Sequence, residues 1–297
     1  MASSFRDELR QTLRSGDTLN ILLLINVIVF LFVNILDAFL KLLTIDSFAS
    51  GTLLNLCSVP ASLSRLIVKP WTLITYQFLH LNFFHILFNL LWLFWMGKIF
   101  AEYLGMKKLL STYILGGIAG AILFIIAYNV FPLFSQEISV AQALGASASV
   151  LAITLAIAAY IPDYTVHLIL IGPVRLKYIA LVSVLLDLIS VSGSNAGGHI
   201  AHLGGALYGY IFAMNLKKGK NISSWFDLLV EKIKLLFTAR RMKVIKKDRP
   251  LRDDEYLHNK KVSQERIDSI LDKISHSGYG SLTSEERDIL FNYSNKK

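Results

Sequence analysis

The chain has 297 residues, of which 54% are hydrophobic and only 17% are charged. A soluble domain carries roughly 25% charged residues. The charges are also uneven, because residues 1–216 hold 11 Lys/Arg and 9 Asp/Glu whereas residues 217–297 hold 19 and 12. This distribution excludes one soluble globule and indicates a polytopic membrane domain with a solvated basic tail. The single cysteine, Cys57, excludes a disulfide framework and a zinc site made of cysteines.

Six apolar stretches predict membrane-spanning helices, because a bilayer core needs about 20 apolar residues per helix. Their predicted ranges are 19–36, 80–97, 109–128, 140–161, 178–190 and 199–216. Residues 1–18 precede the first span, and no small-residue cleavage site follows it, so we expect an uncleaved signal anchor. The predicted fold class is therefore all-α, a six-span bundle over residues 19–216 with a small cytoplasmic helical tail.

Lys and Arg residues near the span ends predict the orientation. With the N-terminus inside, the inner face carries eleven of them and the outer face three, namely Lys41, Arg65 and Lys69. Both termini are therefore predicted to be cytoplasmic. The first outer loop, residues 37–79, is too apolar for a free loop, and we expect it in the membrane interface with Trp71 at headgroup level.

The tail is predicted in two parts. Residues 217–262 form a charged linker with an amphipathic stretch at 224–237, and residues 263–297 form a small helical module. Thr283 and Glu286 predict a capping box that opens its second helix. The apolar residues of its first helix recur at helical spacing: Ile267, Ile270, Leu271 and Ile274. The net charge of +9 accompanies no nucleic-acid-binding motif, so we expect anionic lipid beside the tail and no nucleic acid.

Polar side chains recur at membrane depth, where they are costly and call for a reason. Three different spans carry Ser147, His202 and the pair His85 and Asn89, all predicted at roughly 5–14 Å below the outer surface. A serine hydroxyl is a weak nucleophile until a neighbouring base takes its proton, and His202 is the candidate base. These residues predict nucleophilic catalysis in the outer part of the membrane.

Small residues and side-chain donors surround the candidate serine. His85 and Asn89 lie one helical turn apart on one face, and both are candidates for binding an oxyanion. Gly145 lets another backbone approach the serine. Gly205 and Gly209 form a ridge of small residues that would bring the two catalytic helices together.

Other interpretations stay open for these residues. An isolated membrane serine often bonds its own backbone, and a lone histidine often packs between helices. A metal site built from His80, His85, His199 and His202 is disfavoured, because no carboxylate accompanies them and no pair matches a His-Glu-x-x-His motif. Asp187 either orients the base or is an interface residue wetted by the outer loop, and the second interpretation is preferred.

Three motifs on alternate spans together carry a specific resemblance. HLNFFHILFNLLWLFWMG, GASASV and AHLGGALYG, in that order, resemble the rhomboid family of intramembrane serine proteases. The resemblance covers about residues 18–216 and implies six core helices, a site open to the outer face, no cofactor and no metal. It implies a Ser–His dyad without an essential acid, with Ser147 as nucleophile and His202 as general base. It also implies residues on the oxyanion and substrate side: His85, Asn89 and Gly145.

Two positions depart from the family pattern. Ala148 stands where the family usually has glycine, and Leu151 stands where it often has an aromatic residue that stacks on the histidine. The tail resembles a helical module appended to rhomboids of Bacteroidetes-type bacteria. The resemblance implies cleavage of transmembrane protein substrates in a lipid bilayer, in a bacterial inner membrane. Two alternatives are a non-catalytic scaffold or chaperone that binds client helices, and a transporter, although the polar residues here are not at the midplane.

Overall fold

The structure is a computed structural model that describes residues 17–43, 49–168, 172–193, 195–237 and 253–294. Most of the predicted N-terminal segment, with its three arginines, and residues 238–252 of the predicted linker lie outside the described residues. The chain divides into two compact units, Met1–Thr238 and Ala239–Lys297.

All six apolar segments predicted from the sequence are helical, although their ends differ. The helices are α1 Thr18–Leu42, α2 Phe83–Leu104, α3 Met106–Val130, α4 Ser147–Tyr160, α5 Leu176–Ser190 and α6 Ala196–Lys217, and α7 Ser224–Phe237 follows them. Among the described helices, α1, α2 and α3 are long and apolar enough to cross a bilayer. Helix α4 is apolar but has only 14 residues. The described chain is therefore mostly helical with three candidate membrane spans.

Helix α4 lies at the centre of the first unit, packed against α6, α3 and α2. It is apolar all round, as a helix enclosed by others must be. Its predicted start at residue 140 is wrong, because Gln142–Ala143 (β2) pairs antiparallel with Val59–Pro60 (β1) and Gly145 has a φ of +113°. The helix therefore begins at Ser147, which is its first residue rather than one seven residues inside it.

The glycine ridge on α6 allows the close approach of α4. A Cβ atom on Gly205 would overlap the carbonyl oxygen of Ala148, and one on Gly209 would overlap that of Ala152. Both obstacles are backbone atoms, which cannot swing aside as a flexible side chain does. The predicted close packing of the two helices through small residues is confirmed.

The segments between the helices contain short structured pieces. Thr165–Leu168 (β3) and Gly172–Arg175 (β4) form an antiparallel hairpin between α4 and α5. The other short pieces among the described residues are helices of one to two turns: Ala49–Leu53, Leu54–Cys57, Leu63–Val68, Thr72–Thr75, Tyr76–Phe78 and Pro132–Phe134. Ile67, Val68 and Trp71 of the first long loop are exposed, as an interfacial loop requires, and the membrane-interface placement stays a prediction.

Within residues 253–294, the described part of the second unit, the chain forms two helices. They are α8 Asp253–Ser277 and α9 Ser284–Ser294, with a turn at Tyr279–Ser281 between them. Ile267 and Ile270 are buried as the helical spacing predicts. Leu271, which shares the helical spacing, is 48% exposed.

The predicted capping box is confirmed at the start of α9. The Thr283 N–H donates to the Glu286 carboxylate at 2.8 Å, and the Glu286 N–H donates to the Thr283 hydroxyl at 3.3 Å. Lys273 of α8 also donates to Glu286, at 2.9 Å. The Thr283 N–H, followed by the Lys273 ammonium, holds the pKa of Glu286 below its usual range.

Candidate active site

The side chains of Ser147 and His202 meet between α4 and α6. The Ser147 hydroxyl donates to His202 Nε2 at 2.6 Å, and His202 Nδ1 lies 2.8 Å from Asp187 Oδ1. An ionised carboxylate can only accept, so the proton of a neutral His202 belongs on Nδ1 and the lone pair belongs on Nε2. The two hydrogen bonds therefore require the same tautomer, which is the one that lets His202 take a proton from the serine.

Asp187 is a largely buried hydrogen-bond acceptor within the site rather than a surface residue wetted by the outer loop. It is 7% exposed, and its Oδ1 also accepts from His199 Nδ1 at 2.8 Å. The preferred sequence interpretation of this residue was wrong, because α5 places it against the first turns of α6. The three-residue spacing of His199 and His202 puts both rings on one helix face. This spacing was the sequence signal that both rings could share one hydrogen-bond acceptor. The carboxylate that the histidines lack in sequence is thus supplied by a different helix.

The start of α2 places His85 and Asn89 beside the serine. The Asn82 side chain caps this helix by accepting from the Phe84 N–H at 2.9 Å, so His85 lies in its first turn. Asn89 follows one turn later, and its side-chain nitrogen donates to the His85 carbonyl at 2.8 Å. A side-chain amide carries two N–H donors, so Asn89 retains a second one for a ligand.

Gly145 makes room for His85 in the loop before the serine. A Cβ on Gly145 would lie 2.7 Å from the Cε1 atom of His85, and its φ of +113° also favours glycine. Its own N–H donates to the Tyr76 carbonyl at 2.8 Å, so it is not a free oxyanion donor. Gly145 therefore shapes the site, whereas the backbone N–H of the serine, in the first turn of α4, needs no intrahelical partner.

His80 fixes the residue before the serine, a role for which the sequence offered no specific signal. Its Nε2 accepts from the Ala146 N–H at 3.2 Å, and its ring packs edge-on against His85 with centroids 5.1 Å apart. The His80 ring is fully buried. The Gly145–Ala146 loop is thus tied at both N–H groups, which sets the position of the serine.

A cavity of about 880 Å³ opens beside these groups between α2 and α5. Trp95 of α2 and Leu186 of α5 belong to its lining, together with Ser147 and His202. Such a volume is within the range of ligand pockets, and its mixture of aromatic walls and a few polar groups is typical of them. A peptide segment that entered between α2 and α5 would reach the serine.

The ring of His202 is supported differently from the pattern that the family resemblance implies. Leu151, at the position where the family often has a stacking aromatic, lines the cavity. The His199 ring contacts His202 edge-on, with centroids 5.7 Å apart. The base is therefore held by Asp187 and His199 from the side opposite the serine.

The comparisons with known proteins agree with this architecture. A model of the rhomboid domain matches residues 68–218, just over half of the chain. A model of a family of unknown function, DUF6576, matches residues 252–296. RHOMBOID-like protein 12, mitochondrial, from Arabidopsis thaliana is 30% identical over 159 residues, which are 50% of this chain and 47% of that relative. The chain thus spans about half the length of that curated relative. Because the matched domain runs from α2 through α6 and contains the whole candidate site, the chain belongs to the rhomboid family.

Proposed function

We propose that this chain is an intramembrane serine endopeptidase that cleaves other proteins within or next to their transmembrane segments. The observation that carries the proposal is the continuous chain of hydrogen bonds from Ser147 through His202 to Asp187. An isolated membrane serine would bond its own backbone instead. An isolated histidine would have no partners that fix which ring nitrogen carries its proton.

Acylation follows from the positions of these groups. Ser147 Oγ attacks the scissile carbonyl while its proton passes to His202 Nε2. The imidazolium that forms lies against the Asp187 carboxylate, which stabilises its charge. The oxyanion is bound by the serine N–H and by side-chain donors from His85 and Asn89. Removing one such donor is expected to cost less than removing the nucleophile or the base.

His202 completes acylation by giving its proton to the leaving amine, which departs as the acyl-enzyme forms. In deacylation, His202 accepts a proton from the water that attacks the acyl-enzyme and returns it to Ser147 Oγ as the acyl group leaves. The cavity of about 880 Å³ provides the route for this water. A substrate helix hides its carbonyl groups in hydrogen bonds, so it must unwind locally, and segments with small or helix-breaking residues are the expected substrates.

The membrane arrangement that we propose has six spans, with both termini in the cytoplasm of a bacterium and the catalytic groups towards the outer face. Helix α4 is only about 21 Å long, shorter than a bilayer core of about 30 Å. It is enclosed by other helices, so its ends are not required to reach the lipid headgroups. The excess of Lys and Arg on one side of the spans supports the orientation.

A fluorophosphonate probe tests the proposal, because it reacts with a serine that a base has activated. The wild-type protein in detergent should be labelled, and Ser147→Ala should not be. Ser183→Ala is the matched control, because Ser183 lines the same cavity but its hydroxyl donates to the Ile179 carbonyl. Label that persists in Ser147→Ala would contradict the assignment. A folded wild-type protein that takes no label and cleaves no model transmembrane substrate would favour the non-catalytic scaffold.

A further inference from the structure

Three potential metal ligands cluster on the side of His202 that faces away from the serine. They belong to Asp187, His199 and His202, each of which offers one ligand atom within 4.8 Å of the other two. The Nδ1 atoms of both histidines lie 2.8 Å from Asp187 Oδ1. His199 takes no part in the proposed proton transfers. The cluster thus contains one more imidazole than the reaction needs.

We propose that Asp187, His199 and His202 bind a divalent transition-metal ion of the zinc type, and that the bound ion switches the serine off. Two imidazoles and one carboxylate, with a water in the fourth position, form a ligand set that suits Zn²⁺ at about 2.0–2.2 Å from each ligand atom. The metal-binding part of this proposal is independent of the proposed protease activity. The inhibitory part rests on it.

An ion can reach the cluster from the cavity. Asp187 and His202 belong to the cavity lining, and the side chains of His199 and His202 are 27% and 21% exposed. The present partners of the three ligand atoms are one another, through the two hydrogen bonds to Asp187 Oδ1. A metal ion placed between the three atoms would replace these two hydrogen bonds. Its positive charge would compensate the negative charge of the carboxylate.

Inhibition follows from which ring nitrogen of His202 carries the proton. A neutral ring carries one proton, and in the catalytic tautomer this proton is on His202 Nδ1. A metal ion that takes the lone pair of Nδ1 leaves the ring neutral only if the proton is on Nε2. His202 would then donate to Ser147 rather than accept from it, and the serine would keep its proton. No net proton release is required at His202, because the proton moves from one nitrogen to the other through solvent.

The other histidine pair beside the serine is a weaker candidate for the same ion. His80 and His85 are close, but His80 Nε2 already accepts from the Ala146 N–H. Among the described residues, no carboxylate joins these two histidines in a group of potential metal ligands. The inference is therefore restricted to the cluster around Asp187.

The binding arm of the test uses Co²⁺, whose absorption reports a tetrahedral site, with full-length protein in detergent. Wild type and Ser147→Ala should bind one Co²⁺ that Zn²⁺ displaces. His199→Gln should weaken binding by at least about 10-fold, because it removes one of three ligands. His276→Gln is the control, since His276 is exposed in the second unit. His199→Asn is a second variant in case the longer amide perturbs folding, and circular dichroism checks both.

The activity arm measures cleavage of a model transmembrane substrate against free Zn²⁺. Wild type should be inhibited and should recover on chelation. His199→Gln should need at least about 10-fold more Zn²⁺ than wild type to lose half of its own metal-free cleavage rate, whatever that rate is. Binding that does not depend on His199, or equal inhibition of both proteins, would overturn the proposal. If Co²⁺ binding depends on His199 but no variant cleaves, the metal site stands and the protease assignment fails.

Discussion

The carboxylate of Asp187 holds the ring of His202 from the side opposite Ser147. Asp187→Asn keeps the shape of the side chain but offers an amide, which can donate to Nδ1 and so favour the wrong tautomer. We expect kcat to fall by about 10- to 1,000-fold with little change in KM, because Asp187 acts on the reaction through the ring of His202. The measurement is steady-state cleavage of a model substrate at matched protein stability.

Asp163→Asn is the control for this substitution. Asp163 lies outside the cavity, and the Lys177 ammonium bonds it and holds its pKa below the usual range. The Asp163→Asn substitution should therefore leave kcat unchanged. If Asp187→Asn were as active as Asp163→Asn, the site would be a Ser–His dyad in which Asp187 has no catalytic role.

The sequence identifies part of this residue arrangement and misses part of it. Ser147 and His202 stand in motifs whose combination is specific, so the sequence alone identifies them. Asp187 stands in no motif, and its partner is fifteen residues away on another helix. Its role depends on how α5 packs on α6, which hydropathy and spacing do not determine.

At the scale of the helices, Gly205 sets the distance between α4 and α6. In Gly205→Ala the new methyl group meets the carbonyl oxygen of Ala148, so the two helices must separate. Such overpacking is expected to cost about 1–3 kcal/mol of stability. A shift of about 1 Å between the serine and its base would also lower cleavage by about 100-fold.

Thermal unfolding in detergent and the cleavage assay measure these two effects. Gly51→Ala is the matched control, because a Cβ at Gly51 would meet no atom within 4 Å. It should behave as wild type. If Gly205→Ala unfolded and cleaved like Gly51→Ala, the packing of α4 on α6 would not be what positions the dyad.

Helix existence was easier to predict than helix ends. Long apolar runs identified all six segments, since burial or lipid contact along a whole helix leaves a strong hydropathy signal. The start of α4 was missed because the residues before it are also apolar, and what stops the helix is the pairing of Gln142–Ala143 with Val59–Pro60. The hairpin of β3 and β4 was missed for a similar reason, since its pairing is a property of two segments and not of either one.

At the scale of the whole molecule, the predicted orientation is testable with one cysteine at a time. Cys57 is partly buried and burial raises the pKa of its thiol, so it would react slowly. Cys57→Ser therefore provides the background for Ser64→Cys in the first long loop and Lys220→Cys after α6, both at exposed positions. An impermeant maleimide should label the first in intact cells and the second only after lysis. The reverse pattern would invert the proposed topology.

Truncation separates the contributions of α7 and of the second unit. Ser111 of α3 donates to the buried Ser223 at 3.1 Å, and Phe226 of α7 packs against the core of the first unit. A chain cut after Lys220 loses these contacts and should lose about 1–2 kcal/mol of stability.

A chain cut after Thr238 keeps the first compact unit whole, and should match the full-length protein in thermal unfolding and in cleavage of a detergent-solubilised substrate. If both truncations were equally destabilised, the stability of the first unit would depend on the tail beyond α7. If the longer one were stable but inactive, the second unit would act in catalysis or substrate binding.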